Sequence, residues 1–296
     1  MTKQLVFIHG RAQQHKDAAA LKREWLEALE QGLQAQRLSL PIAERDIRFP
    51  YFGQTLFDLV NGASAEDAAK VIVRGNNADA AEQEYMRAIL QEVRQKAGIN
   101  DARLAQLVGQ DVVERGPLNW EWLQGILKAL DAIPGVSGAS IALATNDVYQ
   151  YLENPGIRDE IESGVREAMP RDGEYVVVSH SLGTVVAYNL LRREAATQNW
   201  RVPLLVTLGS PLAITEIRRR LTPIKRPDRV GDWFNAMDER DVVALYPLDP
   251  THFPIAPSVP PINNKQDVDN NTENHHGITG YLSDPEVAQT IYAALN

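Results

Sequence analysis

"EYVVVSHSLGTVVAYNLL", residues 174–191, sets a short apolar run against a segment of helical pattern, and Ser181 stands at the joint. Tyr175 to Val178 are continuously apolar, as in a strand covered on both faces. From Leu182 onward the chain reads as a helix. A strand that ends small-x-Ser-x-Gly and enters a helix at once must bend sharply, leaving the serine strained and its hydroxyl lifted above the sheet. Gly183 then belongs where helix and strand pass too closely for a side chain. The common form of this turn begins with glycine, and here Ser179, another small residue, takes that place. Alone, the motif leaves open whether Ser181 is a nucleophile or only a small residue in a turn.

Further strand-like runs lie at 4–8 (QLVFI), 46–49 (DIRF), 203–208 (PLLVTL) and 233–237 (WFNAM). Each is short, mostly apolar and bounded by turn residues. Between them Leu21, Trp25, Ala28, Leu29 and Leu33 recur on one helical face. Near the end, SDPE offers Ser283 as N-cap, Pro285 in the first turn and Glu286 for a capping box, predicting a helix over about 284–295. These features predict an α/β fold with a mostly parallel sheet flanked by helices. The alternation stops between Tyr51 and Glu174, where the pattern is mainly helical. One helix is expected at 80–97, another on the stripe Leu123, Ile126, Leu127, Leu130 and Ile133, and a pair over 146–169 split at Asn154-Pro155-Gly156. The expectation is a single domain, 1–296, with residues 55–145 inserted as a helical cap over the C-terminal edge of the sheet. Trp120 and Trp122 fit core packing there, or a substrate pocket.

Composition narrows the function. With 44% hydrophobic and 23% charged residues the chain can bury a large core without disulfides or metals. It contains no cysteine, so covalent catalysis must use oxygen or nitrogen. A net charge of -9 opposes phosphate backbones and anionic headgroups, so nucleic acid is not an expected partner. The one basic run, IRRRLTPIKRPDR at 217–229, reads as a solvated helix end and loop. No stretch approaches the roughly 18 apolar residues of a membrane span, and LVFI is too short for a signal-peptide core. A cytoplasmic protein without an integral membrane segment is expected. No metal-ligand spacing is visible, so neither metal nor cofactor is expected. VFIHGRAQQHKD lacks the glycines of a phosphate loop, which removes a nucleotide-binding reading.

Four regions resemble the α/β-hydrolase superfamily of serine esterases and lipases: VFIHGR (6–11), SHSLGTVVAY (179–188), VTLGSPL (206–212), and NAMDERDVVAL with NHHGITGYL (235–245 and 274–282). The resemblance implies the α/β-hydrolase fold and a nucleophile, acid and histidine in that chain order. A serine hydroxyl needs a base to take its proton, and the base needs an acid to hold its tautomer. Of the six histidines, His9 and His15 precede Ser181 and His180 adjoins it. His252 follows the acid region too soon, in a Pro-rich loop. The base is therefore His276 or its neighbour His275, with His276 preferred because Tyr281 follows it as in the family's His loop. The acid is Asp241, which leads an apolar run, or Asp238 at the strand end.

The resemblance also implies an oxyanion hole from the backbone N–H groups of Leu182 and Arg11, with His9 and Gly10 shaping the early turn. The side chains of Arg11, His15 and Lys16 could meet an anionic group or remain solvated. The implied reaction is hydrolysis of a small-molecule or lipid carboxylic ester through Ser181, His276 and Asp241. The rival is a catalytically silent scaffold of the same fold, serving as a binding or interaction module.

Overall fold

Glu174 to His180 form β3 of a sheet whose strands are all parallel, in the order β2-β1-β3-β4-β5-β6. The computed structural model describes residues 3–10, 17–58, 80–115 and 120–296. Its other strands are β1 (Gln4–Ile8), β2 (Ile47–Arg48), β4 (Arg201–Leu208), β5 (Val230–Ala236) and β6 (Asn263–Lys265). Strand alternation sends Leu5, Phe7, Val176, Val178, Leu204 and Val206 to one face and Val6, Ile8, Val177 and Leu205 to the other. Both faces are buried, which is why the strands read as unbroken apolar runs.

Helix α1 (Ala18–Ala35) covers the first face together with the two C-terminal helices, numbered α11 (Ile278–Leu282) and α12 (Pro285–Leu295) at the end of the chain order. Asp17 caps α1 by accepting from Ala20 N. The N-cap of α12 is Asp284, accepting from the N–H groups of Glu286 and Val287. This corrects the expected cap at Ser283, which instead closes the preceding short helix. Both residues are cap formers, and Pro285 at the first helical position decides between them.

Between β2 and β3 lie α2 (Gly53–Asp58), α3 (Ala80–Lys96), α4 (Asp101–Val108), α5 (Gln110–Arg115), α6 (Trp120–Asp131), α7 (Gly138–Glu153) and α8 (Pro155–Ala168). Asn154 caps α8 and breaks it from α7 where NPG signals a turn. α7 starts at Gly138 rather than near Asn146, because the Ser137 side chain accepts from Ser140 N and begins the helix earlier. The buried Glu162 of α8 accepts from Tyr151 of α7, from Arg166, and from Arg193 of α9 (Leu182–Glu194). A buried carboxylate needs such full pairing, and this one ties three helices into a block. α3 packs on α10 (Thr215–Arg220) and α7 packs on α9, placing both near the C-terminal ends of β3 and β4.

The basic run at 217–229 turns partly inward. Arg220 binds Glu153 and Glu216 and lies over the Tyr85 ring at 4.5 Å, while Arg226 donates to the carbonyls of Pro260 and Gly231. Trp122 is buried beneath the Arg94 guanidinium, 5.6 Å away, as ordinary core packing. No described helix is long and apolar enough to cross a membrane.

The chain runs from β1 outward to β2 and then returns to place β3 on the other side of β1. Ligand sites in open parallel sheets form at such a reversal, beyond the carboxyl ends of the strands. The passage there is tight: a Cβ on Gly183 would lie 2.1 Å from the Ile8 carbonyl oxygen and 2.7 Å from that of His9. Gly183→Ala is expected to destabilise the protein by about 1–3 kcal/mol or more, as overpacking does. Urea unfolding checks this, and an unchanged midpoint would show that the passage can widen freely.

Candidate active site

Ser181 has φ 55° and ψ -129°, in the left-handed region that a non-glycine residue adopts only when held there. Its N–H donates to Leu208 O at 3.1 Å, and its carbonyl accepts from Thr184 N and Thr184 Oγ1. Gly10 at the end of β1 clears the space in front, since a Cβ there would sit 2.7 Å from the Ser181 Cβ. Ser179 explains the departure from a leading glycine: it is fully buried and donates its hydroxyl to Val206 O at 2.8 Å across the sheet.

The Ser181 hydroxyl lies 2.9 Å from His276 Nε2, and His276 Nδ1 lies 2.7 Å from Asp241 Oδ2. A carboxylate only accepts, so Nδ1 carries the proton and Nε2 is left to accept from the serine. Gly209, with φ 54°, provides the room: a Cβ there would come within 3.1 Å of both the Asp241 carboxylate and the His276 ring. Asp241 is buried and satisfied on both oxygens. Oδ2 also accepts from Tyr281 Oη at 2.6 Å, and Oδ1 accepts from Val243 N and Ala244 N. Burial alone raises its pKa, but the neighbouring His276 and these hydrogen bonds bring it below the ordinary value.

The alternatives are occupied elsewhere. His275, at φ 53°, donates Nδ1–H to Asn270 O and turns toward Gly135. Asp238 binds Arg240 twice and accepts from Asn270 N. His252 stacks on Tyr246 and pairs with Asp249. Asn270 itself shapes the His loop, accepting from Thr272 and donating to Gly277 O at 2.9 Å.

Leu182 opens α9, so its N–H has no acceptor within the helix and points out of the N-terminus. Arg11, the other expected oxyanion donor, lies outside the described residues, as do His15 and Lys16; of Trp120 only the backbone is described. His9 is buried, stacked 4.0 Å from Phe52, donating from Nδ1 to Gly10 O and accepting at Nε2 from Phe52 N. It braces the end of β1.

Sequence reasoning used Tyr281 only as a mark of the His loop and set His180 aside as out of order. The structure puts Tyr281 on Asp241, and it directs His180 Nε2–H to the backbone carbonyl of His276 at 2.7 Å. Spacing carried no signal for either contact, because both cross between distant segments.

Above Ser181 a small, partly open pocket is walled by Ile89 and Val93 of α3, Ile141 and Val148 of α7, Ile214 and Val243. Among the described residues the other polar lining residue besides Ser181 is Thr145, whose hydroxyl donates to Ile141 O at 2.8 Å. Among the described residues no cluster of three His, Cys, Asp or Glu side chains is placed to hold a metal ion. Comparison with protein-family models, with curated proteins and with solved structures found no match.

Burial lowers the pKa of His9 to about 4 and that of His180 to about 3, against 6.5 for an ordinary imidazole. Between these values the unfolded chain holds protons that the folded one rejects. Their contribution to stability is therefore complete above about pH 6.5 and is lost progressively as pH falls toward the folded values. The expected loss is about 1.4 kcal/mol per pH unit for each histidine. Urea unfolding at pH 7.5, 6 and 5 measures it; half the slope would mean that one ring opens to water before global unfolding, and a flat profile that both do.

Proposed function

We propose that the protein is a serine hydrolase of the α/β-hydrolase type acting on carboxylic esters with an apolar acyl group. One observation carries the reading: Ser181 is held at a positive φ on a strand-to-helix turn, in continuous hydrogen-bond contact with His276 and Asp241. A serine in a turn of only structural use has no need of an oriented imidazole backed by a buried carboxylate.

In the proposed reaction Ser181 Oγ attacks the ester carbonyl while His276 Nε2 takes its proton. Asp241 stabilises the imidazolium and keeps its orientation. The developing oxyanion sits at the N-terminus of α9, where Leu182 N–H and the helix dipole favour negative charge, with Arg11 N–H as second donor. The intermediate expels the alcohol, which receives the proton from His276, and leaves Ser181 acylated. His276 then draws a proton from water, whose attack releases the acid and restores the serine.

We read the chain as one α/β domain, 1–296, with 55–145 as its cap. The substrate class follows from the lining: side chains from α3 and α7 offer an acyl group no charge and no free hydrogen-bonding group other than Ser181.

Ser181→Ala is expected to lower kcat on p-nitrophenyl butyrate by about 10⁴-fold or more and to abolish fluorophosphonate labelling, with the melting temperature nearly unchanged. The wild type should turn over the butyrate faster than the corresponding hemisuccinate. A wild type that neither reacts with the probe nor cleaves esters would favour the silent scaffold and sink this reading.

A further inference from the structure

His180 follows the strand alternation to the face opposite Ser179 and enters a niche between Trp25, Tyr281 and the His276 ring, with ring centroids 6.2, 6.0 and 4.7 Å away. Its ring is buried there, and Nε2 lies 2.7 Å from the carbonyl oxygen of His276. A carbonyl only accepts, so this nitrogen carries the hydrogen. The base therefore touches the elbow twice: its ring at Ser181 and its own backbone at the residue just before Ser181.

From this geometry we infer that His180 is a positioning residue: its Nε2–H tethers the backbone of His276 so that the base stands over Ser181. The inference rests on the reading of Ser181, His276 and Asp241 as the catalytic set. His276 sits on a loop, residues 270–277, that is shaped from within by Asn270 and Thr272 and held at its start by Asn270 N–H, which donates to Asp238 Oδ2 at 2.8 Å. Those bonds set the loop's shape and anchor its first residue beyond β5 without fixing His276 itself over the elbow. Three bonds do that, one from its backbone to His180 and two from its ring to Ser181 and Asp241, and the His180 bond is the one among them that does not depend on the base's own ring. A donor that stayed protonated on both nitrogens would place a cation beside the imidazolium that forms at His276. Histidine avoids this because burial and the neighbouring His276 ring keep it neutral, against the pull of its hydrogen bond to the His276 carbonyl and, more weakly, of Asp241; His9 acts in the same direction as the His276 ring.

Three substitutions separate the tether from packing. Glutamine carries its amide nitrogen the same number of bonds from Cβ as Nε2 of histidine. Methionine matches glutamine in length without a donor, and asparagine has a donor that falls one bond short. His180→Gln is expected to keep kcat within about threefold of wild type, while His180→Met and His180→Asn lose about 10- to 100-fold in kcat with KM within about twofold, the usual cost of a displaced catalytic group. Equal rates for the glutamine and methionine variants overturn the tether, as do wild-type rates in all three. Nitrogen-15 spectra of the histidine rings test it in the unaltered protein. His180 should remain the neutral Nε2–H tautomer from pH 5 to 9, and an Nδ1–H tautomer or a titration in that range overturns the assignment. Should the wild type neither react with fluorophosphonate nor cleave esters, the catalytic reading fails and the positioning role falls with it, even where the spectra show the bond.

Discussion

Everything at the site depends on keeping Ser181 in a backbone conformation it would not choose. The sparsely populated φ of 55° costs on the order of 1–3 kcal/mol, so the surroundings must over-determine it. They do so from three sides: β4 takes its N–H, α9 takes its carbonyl, and β1 leaves no atom in front of it because Gly10 has no side chain. Alternation then sends three consecutive side chains in different directions. Ser179 bonds to Val206 across the sheet, His180 bonds to the His276 backbone, and Ser181 meets the His276 ring. The bend that strains the serine is thus also what lets one short segment address both the sheet and a loop almost a hundred residues later.

Two carboxylates three positions apart divide the work according to their partners. Asp238 is matched by a full charge, Arg240, and also orders Asn270, which in turn holds Gly277 after the base. Among the described residues no Lys or Arg pairs with Asp241. Its buried charge is met by neutral donors, two backbone N–H groups and Tyr281, which leaves the His276 Nδ1–H as the remaining donor and the one that gains most if the ring becomes charged. Burial of an ion costs several kcal/mol, and the hydrogen bonds must recover that before the site can form. The same packing that makes the acid expensive keeps water from competing for it.

Legibility in the sequence followed burial. β1, β3, β4 and much of β5 were readable because both sheet faces are covered there, so apolar composition marked them, whereas the edge strand β2 keeps only Ile47 buried beside an exposed Arg48. β6 was not readable, because Asn263, Asn264 and Lys265 form an edge strand whose pairing uses backbone and whose Asn264 side chain braces Leu248 and Asn235. Ser181, Asp241 and His276 were reachable through their order along the chain and the resemblance it carried. His276 was preferred over His275 through the resemblance of its loop and not through chemistry, since both are imidazoles; in the structure the His275 ring lies toward Gly135 and bonds Asn270 O instead. Ser283 and Asp284 were equally good caps on paper, and only the backbone at Pro285 separated them. His180 and Tyr281 act through contacts between segments far apart in the chain, which no local pattern can display.

The apolar roof gives the proposed chemistry its direction. Ser181 lies at the floor of a pocket that, among the described residues, is lined by apolar side chains apart from Thr145, whose hydroxyl proton goes back to its own helix. A methylene placed against such walls gains about 0.8 kcal/mol by leaving water. A hydroxyl or amide brought to the same place loses its water and finds no partner, a penalty of roughly 1–3 kcal/mol. The two effects act in the same sense, so a few atoms of acyl chain suffice to separate apolar from polar esters by orders of magnitude. Asp241 is buried, and in that lower dielectric its attraction for an imidazolium forming at His276 would be strengthened. On the proposed reading, α3 and α7 therefore select the substrate, while the burial of Asp241 sharpens the electrostatics.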